Sequence, residues 1–189
     1  MAHEEQIWYC ESIRDKFPGN FKNKIVLDVG SLDINGNNKY LFTNCDYIGL
    51  DVGPGPNVDI VSPCHLYEKE DETFDTIIST NCFEHDMHWR ESFKKIVKLL
   101  KPNGMFLFSC AAPGMIEHGT FRTTPENSPL TTQIGEEWGN YYRNISEKDL
   151  REVLNLEEIF QKYMVDEHHE IQLNPLRSLN DLYFFGIKK

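Results

Sequence analysis

Five short, largely apolar runs punctuate the first 110 positions, and the first two stop at a glycine and at an acid. They are 24–29 (KIVLDV), 47–51 (YIGLD), 58–61 (VDIV), 73–80 (TFDTIIST) and 105–110 (MFLFSC). Runs of this length, rich in β-branched and aromatic side chains, predict buried strands of a parallel sheet. Between the fourth and fifth, residues 89–100 place Phe93, Ile96, Val97 and Leu100 on one helical face, with Arg90, Lys94, Lys95 and Lys98 elsewhere. This is an amphipathic helix, closed by Lys101-Pro102-Asn103-Gly104. Ile7, Trp8, Ile13 and Phe17, followed by Pro18-Gly19, predict a further helix within residues 1–22 whose aromatic side chains pack on the body.

From 111 to about 144 the periodicity is lost and Pro113, Gly114, Gly119, Pro125, Pro129, Gly135 and Gly139 accumulate. An irregular stretch this long is uncommon in a compact domain unless it is functional or mobile, so an active-site cover is expected here. Ser146, with Asp149 three residues on, has the spacing of a capping box and predicts a helix reaching Asn155. Two β-like segments, 158–170 and 181–187, predict an antiparallel pair closing the sheet edge. Together these elements predict one α/β domain over 1–189, a doubly wound, mostly parallel seven-stranded sheet with helices on both faces. Ligands of such sheets sit beyond the carboxyl ends of the strands, where strand order reverses.

Charge narrows the partners. A net charge of −11, from 19 Lys+Arg against 30 Asp+Glu, repels phosphate backbones, so nucleic acid is disfavoured and a small-molecule substrate is expected. Cys10, Cys45, Cys64, Cys82 and Cys110 are odd in number and form no CxxC pair, as expected of reduced thiols in the cytoplasm. The acidic N-terminus does not read as a signal peptide, and no apolar run approaches a membrane span. Oligomeric state has no signature in the chain.

The candidate chemistry lies at the tips of the first two strands. Gly30 permits close backbone approach to a ligand, and Asp28 is an acceptor suited to a cation such as an amino group. A dinucleotide site needs GxGxxG to rest phosphates on a helix N-terminus, but this loop has only Gly30 and Gly36, with acids at Asp28 and Asp33. Asp51 follows Gly30 by 21 residues, the position from which a carboxylate accepts ribose hydroxyls. An adenosine-bearing cofactor without phosphates satisfies both observations; solvated strand-end acids are the ordinary alternative.

The series VLDVGSLDING, YIGLDVGPGPNVDIV, FDTIISTNCFEH and LKPNGMFLFS resembles the class I S-adenosyl-L-methionine (SAM)-dependent methyltransferases, especially a small bacterial branch whose first loop reads DVGSxDxNG. The resemblance covers roughly residues 24–112 and implies a Rossmann-like methyltransferase fold with SAM as cofactor. It implies that Asp28, Gly30 and Ser31 wrap the methionine part, that Asp51, followed by Val52, binds ribose, and that Asn81 lies near the sulfonium. The sequence departs from the pattern twice. Leu32 replaces the usual second glycine, and the acid that often meets the adenine amino group is replaced around Ser62-Pro63-Cys64, leaving adenine to backbone groups near Cys64 and His65.

Methyl transfer from a sulfonium is an in-line displacement, so positioning can supply most of the catalysis. The implied acceptor is a small molecule or a sugar-type compound. His85 and His118 are the candidate catalytic residues, because histidine is best matched to proton transfer at neutral pH. The alternatives are a helix start at Glu84-His85-Asp86 and a solvated loop histidine. Arg122 and Tyr141-Tyr142-Arg143 would either orient the acceptor or clasp the cover. No metal is expected: there is no HxxxH helix pair, and the adjacent His168-His169 would face opposite ways in a strand. The rival readings are an NAD or nucleotide-sugar enzyme, against which the missing GxGxxG counts, and a silent SAM-fold regulatory module, which has no reason to keep Asp28, Gly30 and Asp51 together.

Overall fold

A computed structural model describes residues 4–169 and 180–189 of the chain. Five parallel strands, β1 (Ile25–Val29), β2 (Asp46–Asp51), β3 (Ile60–Val61), β4 (Phe74–Thr80) and β5 (Leu100–Ala111), are extended by an antiparallel pair, β6 (Phe160–His169) and β7 (Asn180–Lys188). The order across the single sheet is β3-β2-β1-β4-β5-β7-β6. Strand order therefore reverses between β1 and β4, and their carboxyl ends open onto the switch-point crevice.

Alternate residues of the strands feed two cores, which is why the runs read as largely apolar. Leu27, Val29, Ile77, Phe106 and Phe108 pack against Phe83, Trp89, Phe93 and Ile96 on the side of helix α2 (Trp89–Leu99). Val26, Ile78, Met105 and Leu107 pack against Tyr9, Cys10 and Ile13 of helix α1 (Glu4–Lys16) on the other. Phe83 meets Phe93 and Phe108 edge-on, with ring centroids 4.5 and 5.5 Å apart. Each such fully buried ring contributes about 1.5–3 kcal/mol of hydrophobic stabilisation.

Several expectations are refined. The buried face of α1 is Gln6, Tyr9, Cys10 and Ile13, whereas Ile7 is partly exposed and Trp8 is 71% exposed, so Trp8 is not a core residue. Strand β5 begins at Leu100 rather than Met105: Leu100 pairs with Phe74, the turn Lys101 to Gly104 loops out with Asn103 at φ 61°, and pairing resumes at Met105 opposite Thr76. The stretch 112–144 holds a short 3-10 turn at Pro125–Asn127 and two short helices, α3 (Pro129–Ile134) and α4 (Glu136–Gly139), too brief to show a helical period. The Ser146–Asp149 capping box is present, but its helix α5 (Glu147–Val153) ends before Asn155, and a turn-length helix α6 (Leu156–Ile159) leads into β6. Between β1 and β2 there is only a 3-10 turn, Asn38–Leu41, because the Asn- and Gly-rich segment offers turns in place of an apolar stripe. The expected strand end at Glu170 and the first three residues of the expected N-terminal helix lie outside the described residues. Among the described residues no helix is long and apolar enough to cross a membrane.

Candidate functional site

The turn after β1 is held open by glycine. Gly30 has φ +77°, and a Cβ there would fall 2.4 Å from Sγ of Cys82. Its N–H and that of Ser31 donate to the carbonyl of Leu50 on β2 at 2.9 and 3.2 Å, which ties the two strand tips together. The Ser31 hydroxyl is buried without a hydrogen-bond partner. Asp28, one pleat earlier, is 2% exposed and accepts a very short hydrogen bond from the Tyr47 hydroxyl and a long one, 3.4 Å, from Asn38 Nδ2. Burial pushes its carboxyl up to about 6 despite these two donors.

Asp51 at the tip of β2 accepts from the backbone N–H of Leu32 at 2.9 Å through Oδ2 and from that of Val52 at 2.7 Å through Oδ1. Each oxygen keeps a further lone pair, so the carboxylate is oriented but not saturated. Burial raises its pKa as well, with the two backbone donors opposing.

These residues line two adjoining cavities of about 80 and 220 Å3 that share Gly30, Leu32, Ile34, Asn81 and Asn127. Asp51, Val52, Cys64 and His85 belong to the smaller one, Asp28 and Ser31 to the larger. Acids line both, at Asp51 and Asp86 in one and Asp28 in the other, and no lysine or arginine lines either. Such a crevice receives a cation and repels a pyrophosphate. Asn81, just past β4, adopts the left-handed conformation (φ 49°) that asparagine tolerates, donates its N–H to Ser109 of β5 at 2.9 Å, and accepts from the Ser109 hydroxyl at 2.9 Å. His65 lines neither cavity; its ring packs on His88 with centroids 4.1 Å apart.

The segment expected as a cover lies over the smaller cavity, contributing Ser128, Leu130, Thr131 and Trp138 to its wall. Arg122 and Arg143 fasten this segment. Arg122 bonds Glu117 and the carbonyl of Asn140, while Arg143 pairs with Asp149 at 2.6 Å, lies over Trp89, and donates its backbone N–H to the Glu84 carbonyl. Tyr141 is half-buried against the α2-side core. Tyr142 alone of that cluster meets the histidines.

His85 and His118 come together although they follow different strands. Their rings cross at 81° with centroids 5.2 Å apart, and Tyr142 lies 5.5 and 5.1 Å from them. Burial, with His118 beside it, lowers the His85 imidazole to about 3, so it is neutral at physiological pH. Glu84 does not suit a helix start: residues 83–85 form a turn ahead of α2, and its side chain is fully buried, which raises its carboxyl pKa. Asp86 is the residue that prepares the helix, accepting from the His88 N–H at 2.8 Å and from Ser92 Oγ at 2.5 Å. Glu84, His85 and His118 offer ligand-type atoms within 4.8 Å of one another, a gathering that no helical HxxxH spacing announces.

Residue-by-residue reading did not assign the crevice roles of Asn38, Tyr47, Asp86, Asn127, Leu130 and Trp138. Asn38 and Tyr47 carried a faint signal, as polar groups one loop and one strand from Asp28. Leu130 and Trp138 carried none, since the cover reaches the crevice only by folding back.

A sheet that reverses order at β1 and β4, with an acid-lined and cation-free crevice over the switch point, is Rossmann-like, and the family to which the chain belongs makes it that of a SAM-dependent methyltransferase with SAM as its cofactor. The chain belongs to the methyltransferase domain family, which matches residues 1–155. No curated protein matches it significantly. Among solved structures, Burkholderia thailandensis 1,6-didemethyltoxoflavin-N1-methyltransferase, with 1,6-didemethyltoxoflavin and S-adenosylhomocysteine bound, is 16% identical with a TM-score of 0.62, over 95% of this chain and 76% of that one. Haemonchus contortus phosphoethanolamine N-methyltransferase 2 in complex with SAM is 15% identical with a TM-score of 0.63; the match covers 95% of this chain but only 52% of that one. A SAM-dependent methyltransferase from Aquifex aeolicus is 14% identical with a TM-score of 0.61, over 99% and 94%. At these identities the likeness is one of fold.

Proposed function

We propose that the chain transfers a methyl group from SAM to a small-molecule or sugar-type acceptor, working as a single domain over 1–189 with residues 111–144 as the cover of its active site. SAM supplies an electrophilic methyl on a sulfonium. Asp28, with Gly30 and Ser31, holds the amino acid end. Asp51 takes the ribose hydroxyls through its unused lone pairs, Val52 and Cys64 flank the nucleoside, and Asn81 stands by the reacting end. His65, though outside the crevice wall, follows Cys64 at the adenine end and contributes there through its backbone. His85 and His118 engage the acceptor at its reacting atom, with His85 forming part of the crevice wall.

The observation that carries this reading is the sign of the crevice: three acids and no lysine or arginine line it, which suits a cofactor bearing an ammonium and a sulfonium and no phosphate. The net charge of −11 argues against nucleic acid as acceptor, and the free state of all five cysteines accords with a cytoplasmic setting. The roofing of the crevice by Leu130 and Trp138 favours an acceptor small enough to be enclosed. Calorimetric titration with SAM and with NAD, followed by screening small hydroxylated and amino acceptors for the mass gain of one methyl group, tests the reading. Binding of NAD in preference to SAM would refute it.

A further inference from the structure

We infer that Glu84, His85 and His118 form a binding site for one divalent transition-metal ion at the inner margin of the acceptor side of the crevice. The inference goes beyond the acceptor role proposed for the two histidines, and its test reads the ion itself.

Three observations converge on it. The carboxyl of Glu84 is fully buried and neither oxygen is in a well-formed hydrogen bond; burial raises its pKa, with the backbone N–H groups of Glu84 and Ala111 opposing, so holding it ionised there calls for a partner or a metal. The nearest ring nitrogen, His118 Nε2, stands 4.0 Å from Glu84 Oε1, too far for a hydrogen bond but close to the spacing of two ligands on one ion. Bonds of about 2.1 Å around a tetrahedral ion set neighbouring ligands about 3.4 Å apart, so the three ligand atoms, within 4.8 Å of each other, need draw together by at most about 1.4 Å.

The second observation concerns how the rings are held. Nδ1 of His118 faces the carbonyl of Ile116 at 3.0 Å, and the Tyr142 hydroxyl bridges both, 3.3 Å from each. That contact places the ring proton on Nδ1 and leaves the Nε2 lone pair toward Glu84, the orientation given to a metal-ligating imidazole by a carbonyl behind it. The third is His85: it is 5% exposed, its Nδ1 has no hydrogen-bond partner, and the loop closes on its ring at Gly119, where φ is +69° and a Cβ would lie 2.5 Å from His85 Cε1. Two imidazoles and one carboxylate suit Zn2+, Fe2+ or Co2+ better than Mg2+ or Ca2+, which prefer all-oxygen shells. Three protein ligands leave a position open, and because His85 is also part of the crevice wall that position is available to an acceptor oxygen or nitrogen.

The test uses the full chain, freed of metal by chelator dialysis and titrated with Zn2+ by calorimetry and with Co2+ by visible absorption. Uptake of one ion per chain, at micromolar affinity or tighter, with the d–d bands of a nitrogen–oxygen ligand set is expected. Glu84→Gln and His118→Ala should each weaken uptake at least tenfold, whereas His88→Ala, whose ring packs on His65 and Trp138 outside the cluster, should not. SAM affinity measured on the same samples reports whether each variant is folded, and a surviving His118→Ala suffices if Glu84→Gln is not. Absence of stoichiometric uptake, or uptake unchanged in the folded variants, overturns the metal site. If the chelated chain nevertheless binds SAM and methylates an acceptor, the metal inference falls while the methyltransferase function stands.

Discussion

On the β1–β2 side of the crevice, Asp28, Gly30, Ser31 and Asp51 all lie within two residues of a strand end, and the Leu50 carbonyl locks the two tips at 2.9 and 3.2 Å. On the histidine side, His85 comes from the turn after β4 and His118 and Tyr142 from two parts of the 112–144 segment, and they meet only because that segment folds back over the sheet. The first side inherits its geometry from a strand ladder. The second depends on a cover fastened by Arg122 and Arg143. The side expected to hold the invariant cofactor is thus rigid by construction, while the side expected to meet the acceptor is built from parts that sequence change can reshape without disturbing the sheet.

The contrast can be broken by substitution. Gly30→Val should have the largest effect: with a positive φ and a Cβ 2.4 Å from Cys82 Sγ, it should abolish SAM binding and cost about 2–4 kcal/mol of stability in denaturant titration. Normal binding by this variant would remove the claim that the tip needs glycine. His85→Ala should slow turnover by about 100-fold or more while leaving SAM affinity within about twofold, as expected of a residue that shares a cavity wall with Asp51 but meets the acceptor rather than the cofactor. A parallel loss of cofactor affinity would merge the two sides into one. Asp51→Ala should weaken SAM binding about 10- to 150-fold, the 1.5–3 kcal/mol typical of hydrogen bonds to a charged group, and calorimetry showing no change would unseat it as the ribose acceptor.

Acidity sharpens the comparison further. Burial raises the Asp28 carboxyl to about 6 in the folded chain, and an ammonium bound beside it, as proposed, would keep it ionised. SAM affinity should therefore rise with pH up to about 6 and level off above, falling towards tenfold per unit below, and Asp28→Asn should flatten that profile. The same shift has the opposite sign for stability. Between the ordinary carboxylate pKa near 3.8 and about 6, the folded chain keeps a proton that the unfolded chain releases, so this group makes stability fall as pH rises through that window. The smallest effect is expected at Trp8→Ser, within about 0.5 kcal/mol, because the indole is 71% exposed; a larger loss in thermal melting would return Trp8 to the core.

Legibility follows the range of the interactions. The Ser146–Asp149 capping box is readable because its partners are three residues apart, and β1, β4 and β5 are readable because burial on both faces keeps their runs largely apolar, whereas the edge strand β3 is two residues long with Val61 exposed. The exposure of Trp8 is not legible in the sequence because neighbouring apolar residues on a helix cannot all face inward, and only the packing of Tyr9, Cys10 and Ile13 on the sheet shows which face wins. The cover's helices span four to six residues, less than two turns, so no period could develop in them.

What the chain's order of residues determined alone is the parallel sheet, the glycine turn and the two acids at adjacent strand tips, because each depends on neighbours in sequence or on strand-long patterns of burial. Tertiary structure alone decided that Glu84, His85, His118 and Tyr142 share one small volume and that Trp138 roofs the crevice. Those contacts join residues whose separation along the chain carries no periodicity, and they exist only once the sheet has set the loops' end points.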